Sequence, residues 1–333
     1  MFGAMNLAQA LELKPEQPST YAINVPEGWR HGPGAFGGLV LGYIVRAVLA
    51  EEASEQPPVL DRFQVDASSR RPGMRPDSNC TESTKWTEYS ESDGAKRSEQ
   101  PASALRTAPQ PPTMKSRQIE SGLGRPLRTI TATIAGPLMA GAAKVHVENL
   151  RVGKSVTVIA ARIMQGGEMP AHAICVLGRD RPTNVSQVAI RPPTIETRWQ
   201  DIEPVAGSLL PEFAQNFEFR LVHGIPFSGS TEAHAAGFIR LREPITADAA
   251  VVVAHADAWW PAEFTRMSAP RLMVTLSFTL EMFGGPALLS AAPLVHRSRT
   301  MASQSGYVTE ARELWTEDGR LVALNQQTLA IVK

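Results

Sequence analysis

From Leu272 to Met282 apolar residues fall at every second position, at Leu272, Val274, Leu276, Phe278, Leu280 and Met282. This period of two predicts a strand over Arg271–Phe283, with those six on a core face and Met273, Thr275, Ser277 and Thr279 on a polar one. The same rhythm predicts strands near Thr20–Val25, Arg128–Ile134, Ala142–Val152, Ser155–Met164 and Ala171–Leu177 in the first half. In the second half it predicts them near Asn216–Val222, Ala233–Leu241, Pro293–Ala302, Gly306–Trp315 and Arg320–Val332. On the last of these, Leu321, Ala323, Asn325, Gln327, Leu329 and Ile331 share one side. Gln327 is then a carboxamide among mostly apolar neighbours, and if buried it must find hydrogen-bond partners.

Each half also offers one apolar helical run, Gly38–Leu49 and Thr246–Trp260. Strands joined by short turns around a single helix predict an α+β fold in which antiparallel sheets each pack one face on a helix. The order of elements is similar in both halves. Two stretches fall outside the pattern. From Asp66 to Pro126 the only Leu, Ile, Val or Phe residues are Leu105, Ile119 and Leu123, too few to offset the entropy of ordering the chain. That stretch reads as a disordered insertion or as translated non-coding sequence. The Pro-punctuated stretch Asp180–Pro204 reads as a linker. The expected organisation is an N-terminal unit over 1–180 containing the insertion 66–126, a linker over 181–204 and a C-terminal unit over 205–333.

Composition narrows the function classes. With 33 basic and 33 acidic residues among 333, the formal net charge is zero, which gives no electrostatic reason to expect nucleic acid or an anionic membrane as partner. Two cysteines, Cys80 and Cys175, argue against a disulfide framework. The absence of a signal-peptide pattern, a membrane-spanning run or a C-terminal peroxisomal signal leads to the expectation of a cytoplasmic protein.

The stretch "GPGAFGG", residues 32–38, has the spacing of a dinucleotide-binding turn. That fingerprint needs a strand running straight into the first glycine and a second strand ending in an acid. Here Pro26 to His31 intervene after the first strand, and a polar segment stands where the second strand should be. Two readings of the glycines survive: closing a turn before the apolar helix, or letting backbone N–H groups approach an acyl thioester.

Five pieces, "GAFGGLVLGYIVRAV", "ENLRVGKSVTVIAARIMQGG", "AHADAWWPAEF", "RLMVTLSFTL" and "GYVTEARELWTEDGRLVALNQQ", in this order, resemble the acyl-CoA thioesterase II type of the thioesterase superfamily. The resemblance implies a double hotdog fold, two antiparallel sheets each wrapped around a central helix. It also implies that an Asp, a Thr and a Gln hold the attacking water, and motif by motif these become Asp257, Thr275 and Gln327. Ser277 departs from a T-x-D pattern common in relatives. Gly37, Gly38, Trp259 and Trp260 become candidate substrate contacts, the two tryptophans equally readable as core. Gln165 of "RIMQGG" is expected to occupy in the first half the place of Gln327, and with no matching Asp in the first helix one working site per chain is expected.

Thioester hydrolysis needs an oriented water, a base and oxyanion donors, and no metal or redox cofactor. Asp257 would be the base, or a nucleophile, or else a residue of a solvated helix face; Gln326 rivals Gln327. The expected partner is acyl-CoA or another acyl thioester, with self-association expected because sheet edges need covering. His255, His223 and His234 lack metal-site spacing, Arg297 and Arg299 could meet phosphates or solvent, and there is no Gly-x-Ser-x-Gly. Two alternatives stand beside hydrolysis: a non-catalytic acyl-binding or accessory protein, and a hydratase or dehydratase using His31.

Overall fold

The computed structural model describes residues 5–54, 124–184, 186–207, 210–284 and 292–332. In chain order the elements are α1 (Leu7–Ala10), β1 (Lys14–Gln17), β2 (Thr20–Val25), β3 (Arg30–His31), β4 (Gly34–Ala35), α2 (Gly37–Ser54), β5 (Leu127–Ile134), β6 (Gly141–Val152), β7 (Val156–Gln165) and β8 (Glu168–Gly178). They continue with β9 (Phe217–His223), β10 (His234–Leu241), α3 (Ala249–Ala258), β11 (Met273–Met282), β12 (Leu294–Gln304), β13 (Tyr307–Thr316) and β14 (Leu321–Ile331). The expected strands are all present, with ends shifted by a few residues. The short pieces α1, β1, β3 and β4 were not foreseen, because two to four residues carry too little periodicity.

Twelve strands form one antiparallel sheet in the order β1-β2-β6-β7-β8-β5-β11-β14-β13-β12-β10-β9, and β3 pairs with β4 separately. The two sheets expected from sequence are therefore one. Pairing of β5 with β11, from Ser277↔Thr133 to Glu281↔Thr129, joins the half-sheets and removes two exposed edges. On each side of this seam the order repeats: the strand after the helix, then the last strand of that half, then the one before it.

The helices α2 and α3 pack on each other and on the sheet. Both are buried nearly all round, from Leu39 to Val48 in α2 with Arg46 half-buried, and from Ala249 to Ala256 in α3, as expected of helices that are apolar all round. Asp248 caps α3 by accepting from the Val251 N–H at 3.0 Å. The three consecutive valines Val251–Val253 are poor helix formers, so packing rather than propensity holds this helix. It ends where Trp259 turns extended before Pro261. Residues 190–202, within the expected linker, pack Ile190, Ile195, Trp199 and Ile202 onto Phe238, Val295, Trp315 and Leu321.

One strand departs from the expected facing. On β11, Met273 is buried while Leu272 and Val274 are exposed, and only from Phe278 onward do Phe278, Leu280 and Met282 face the core. A β-bulge between Thr275 and Ser277, opposite Leu329 and Thr328 of β14, inserts Leu276 as an extra residue and flips the alternation. Thr275 consequently shares the face of Met273. The insertion 66–126 lies outside the described residues except for its last three, of which Arg125 pairs with the buried Glu52 of α2 and donates to the Gly153 carbonyl at 2.7 Å.

Candidate active site

The bulge turns Thr275 toward β14, where its Oγ1 donates to Gln327 Oε1 at 3.1 Å. Gln327 is 1% exposed, and its Nε2 divides two hydrogens between Asp257 Oδ1 at 3.1 Å and Asn325 Oδ1 at 3.0 Å. Asn325 is held in turn by donating to the Thr279 carbonyl at 2.8 Å. These partners fix the orientation of the Gln327 amide, with oxygen toward the hydroxyl and nitrogen toward the carboxylate. The three residues singled out from sequence thus form one hydrogen-bonded chain. The rival Gln326 is exposed, and Ser277 stays outside the chain of hydrogen bonds.

Asp257 lies one residue from the end of α3, against the start of α2, and accepts a hydrogen bond from the Gly38 backbone N–H. A methyl group on Gly37 would come within 2.6 Å of Asp257 Oδ2, and one on Gly38 within 2.9 Å of the Ala254 backbone. Gly37 and Gly38 therefore let the last turn of α3 lie against the first turn of α2 closely enough for a carboxylate to reach the positive end of α2. Burial raises the Asp257 pKa above the ordinary carboxylate value, while Arg312, His31, the Gln327 amide and the Gly38 N–H pull the other way.

Arg312 is a residue the sequence reading missed. It is 2% exposed and donates to the carbonyls of Ala256 and Asp257 at 3.2 Å and of Trp259 at 3.0 Å, capping the carbonyl end of α3. Its Nε donates to Glu310 at 2.7 Å, and Glu310 also accepts from the Ala262 N–H at 2.6 Å. A signal was available: Glu310 and Arg312 fall in the same phase as the core residues Val308 and Leu314 on β13, so an outward reading required breaking that strand's alternation.

Two cavities meet at Asp257. One, of about 280 Å³, runs past Gly34, Gly37, Ile134–Leu138 and Thr275; the other, of about 150 Å³, runs past Phe213, Phe219, Trp260 and Phe264. His31, Trp259, Pro261, Leu272 and Met273 line both. Trp259 is 2% exposed and stacks on His296, with ring centroids 4.8 Å apart, so it is core and cavity wall at once. His31 belongs to the site more closely than sequence suggested; loss of water around its ring lowers its pKa, and Asp257 pulls it back up.

This polar chain sits in a chain that two domain families match, the acyl-CoA thioesterase N-terminal domain over residues 102–178 and the acyl-CoA thioesterase C-terminal domain over residues 188–331. The chain belongs to the acyl-CoA thioesterase family. Among solved structures it is similar to a conserved protein of unknown function with a hot dog fold from Alicyclobacillus acidocaldarius, at 17% identity and a TM-score of 0.71, covering 98% of both chains. It is also similar to an acyl-CoA thioesterase II from Mycobacterium marinum, at 13% identity and a TM-score of 0.63, again over 98% of both chains. At such identities the likeness concerns the fold. No curated sequence matches the chain.

Other candidates lie elsewhere. Gln165 is on β7, whereas Gln327 is on β14, whose counterpart in the repeated strand order is β8. Gln165 is also only half-buried and bonded to the Met139 backbone, so it does not stand where Gln327 does; one residue of "RIMQGG" offered no register to decide this. Arg297 pairs with Glu313 and donates to the Arg191 carbonyl, away from the cavities. His255 bonds to the Val251 carbonyl at 2.7 Å, and burial pushes its pKa down to about 4. Among the described residues no group of three or more His, Cys, Asp or Glu is placed to hold a metal, and no helix is long and apolar enough to cross a membrane.

Proposed function

We propose that this protein hydrolyses an acyl-CoA or similar acyl thioester through a water activated by Asp257, within a fold of two fused hotdog units. The observation that carries the reading is a partly desolvated carboxylate held by a carboxamide and a helix N-terminus at the junction of two cavities. Asp257 takes a proton from water as the oxygen bonds to the thioester carbonyl carbon. Thr275 and Gln327 orient that water without neutralising the carboxylate, and the positive end of α2 stabilises the developing oxyanion. The C–S bond then breaks, the thiolate takes the proton from Asp257, and acid and thiol leave.

Gly37 and Gly38 contribute by what they lack, since a side chain at either would push the carboxylate or the helix away. Trp259 and Trp260 bound the substrate space. Free-thiol release from a panel of acyl-CoA substrates tests the reading. Binding of acyl-CoA without any release would overturn it in favour of a non-catalytic acyl-binding protein. A second reading draws on His31, which lines both cavities with Asp257 and could form an acid–base pair for hydration of an enoyl thioester. Loss of enoyl absorbance without thiol release is the result that would support it.

A further inference from the structure

We propose that the acyl group taken by this site is short or aromatic, with about six carbons or fewer beyond the carbonyl, and that Trp260 sets the limit. The inference rests on the thioesterase reading above. A thioester whose carbonyl lies at Asp257 must send its acyl group into one of the two cavities and its thiol-bearing arm into the other. The larger cavity, about 280 Å³, is walled partly by the chain at Gly34, Ala35 and Ala135–Pro137. Thr275 and Arg312 line it beside Asp257, and a wall with polar side chains suits an arm that carries amides. The smaller cavity is the more enclosed and is bounded by Leu210, Phe213, Phe219, Trp260 and Phe264. Such a lining suits a hydrocarbon.

Size then sets the class. The smaller cavity measures about 150 Å³, and an apolar cavity of ~150 Å³ in a protein core accommodates one benzene-sized group. Its aromatic wall is rigid. Trp259 and Trp260 lie with centroids 4.6 Å apart, and Phe219 packs on them at 5.5 and 5.7 Å. Unlike a methionine wall, interlocked rings do not yield to a longer chain without shifting their neighbours.

The test is thiol release from hexanoyl-, benzoyl-, decanoyl- and palmitoyl-CoA by the full chain and by Trp260→Ala. Expected is a kcat/KM for hexanoyl- or benzoyl-CoA at least tenfold above that for decanoyl-CoA, with palmitoyl-CoA lower still. In Trp260→Ala, decanoyl-CoA should gain at least tenfold relative to hexanoyl-CoA. Equal or better use of decanoyl-CoA by the unmodified protein overturns the proposal, and so does a folded Trp260→Ala that keeps the original ranking. Phe264→Ala serves the same comparison if Trp260→Ala does not fold. Should no thioester be cleaved, the hydrolytic reading falls, and calorimetry with hexyl-CoA and decyl-CoA thioethers still decides the size limit. Hexyl-CoA binding at least tenfold tighter upholds it, and equal or tighter decyl-CoA binding overturns it.

Discussion

The two halves of the chain build the same strand order, each with a helix packed on the sheet, and they carry a β-bulge at the same place. In the second half the bulge falls between Thr275 and Ser277, in the first between Leu127 and Thr129. Aligning the bulges sets Leu127 opposite the role of Thr275, Cys175 opposite Gln327 and Ala173 opposite Asn325. All three first-half residues are apolar and at most 2% exposed, and burial pushes the Cys175 thiol up to about 12. The helix ends differ in the same way. Asp257 faces the start of α2, whereas the residue of α2 that faces the start of α3 is Arg46, paired at 2.9 Å with the capping Asp248. Repeating the strand order therefore did not repeat the polar chain: Asp257, Thr275, Gln327 and Asn325 belong to the second half, while the glycines that admit the carboxylate, Gly37 and Gly38, belong to the first.

The sharpest way to break this comparison is Asp257→Asn. It keeps size and hydrogen-bonding shape but removes the base, so turnover should fall by roughly 10²-fold or more in thiol-release assays, while calorimetric acyl-CoA binding survives. Undiminished turnover would falsify the proposed mechanism. Adding Thr275→Ala or Gln327→Ala to that variant should cost little more, because groups that serve one water act as a unit. Next in size is Gly37→Ala. Its methyl group would press on Asp257 Oδ2, and a carboxylate moved by an ångström should cost on the order of 10-fold to 10²-fold in kcat with the fold retained. Gly28→Ala, where nothing lies within 4 Å of an added methyl, is the control; equal losses in both would remove the special place of Gly37.

Much of this contrast was legible in the sequence and some was not, for identifiable reasons. Period-two alternation located Thr20–Val25 and the long strands because one face of each is buried. It misplaced Leu272 and Val274, since a bulge inserts one residue and nothing in "RLMVTLSFTL" marks where. The cluster Asp257, Thr275 and Gln327 came from resemblance; the residues alone indicated only that a buried Gln327 would need partners, and it has them. Arg312 and Glu310 escaped because a buried ion pair looks, in sequence, like two solvated charges. The seam between β5 and β11 is a pairing of strands 140 or more positions apart, beyond any local pattern.

Titration offers a third test of the asymmetry. Asp257 has its folded pKa raised by burial, so it favours the fold at low pH and that contribution is lost as pH rises through the folded value. Asp257→Asn should accordingly melt no lower than the unmodified protein near neutral pH. His255 behaves oppositely. Its pKa falls to about 4 from 6.5, so the unfolded chain binds the proton first and stability should be lost progressively as pH falls from about 6.5 to about 4. His296, buried beside Arg312, shifts the same way. Denaturant midpoints measured across that range should decline, and His255→Gln should flatten the decline. In kcat/KM, the acid limb should lie above the ordinary aspartate range, and Arg312→Gln, by removing the cation that favours the ionised form, should move it higher. A limb that stays put in a folded Arg312→Gln would mean that another group reports the limb.

The smallest expected effect belongs to the reciprocal contact, and it is the one that shows whether the Arg46–Asp248 pairing between the helices is only structural. Asp248 caps α3 through the Val251 N–H and pairs with Arg46, whose guanidinium also donates to the carbonyls of Ala8 and Leu11 at 3.1 and 3.3 Å. Losing a helix cap costs about 1 kcal/mol, and the ion pair, about one-third solvated on the Asp248 side, adds at most about 1 kcal/mol. Asp248→Ala should therefore lower the melting temperature by a few degrees, and Asp248→Asn, which keeps the capping oxygen, by less. Neither should change kcat by more than about twofold, because the pair lies at the opposite end of α3 from Asp257. A kcat loss comparable to that of Gly37→Ala, in a variant that still melts cooperatively, would mean that α3 transmits strain from its cap to Asp257 and that the two helix ends are coupled rather than independent.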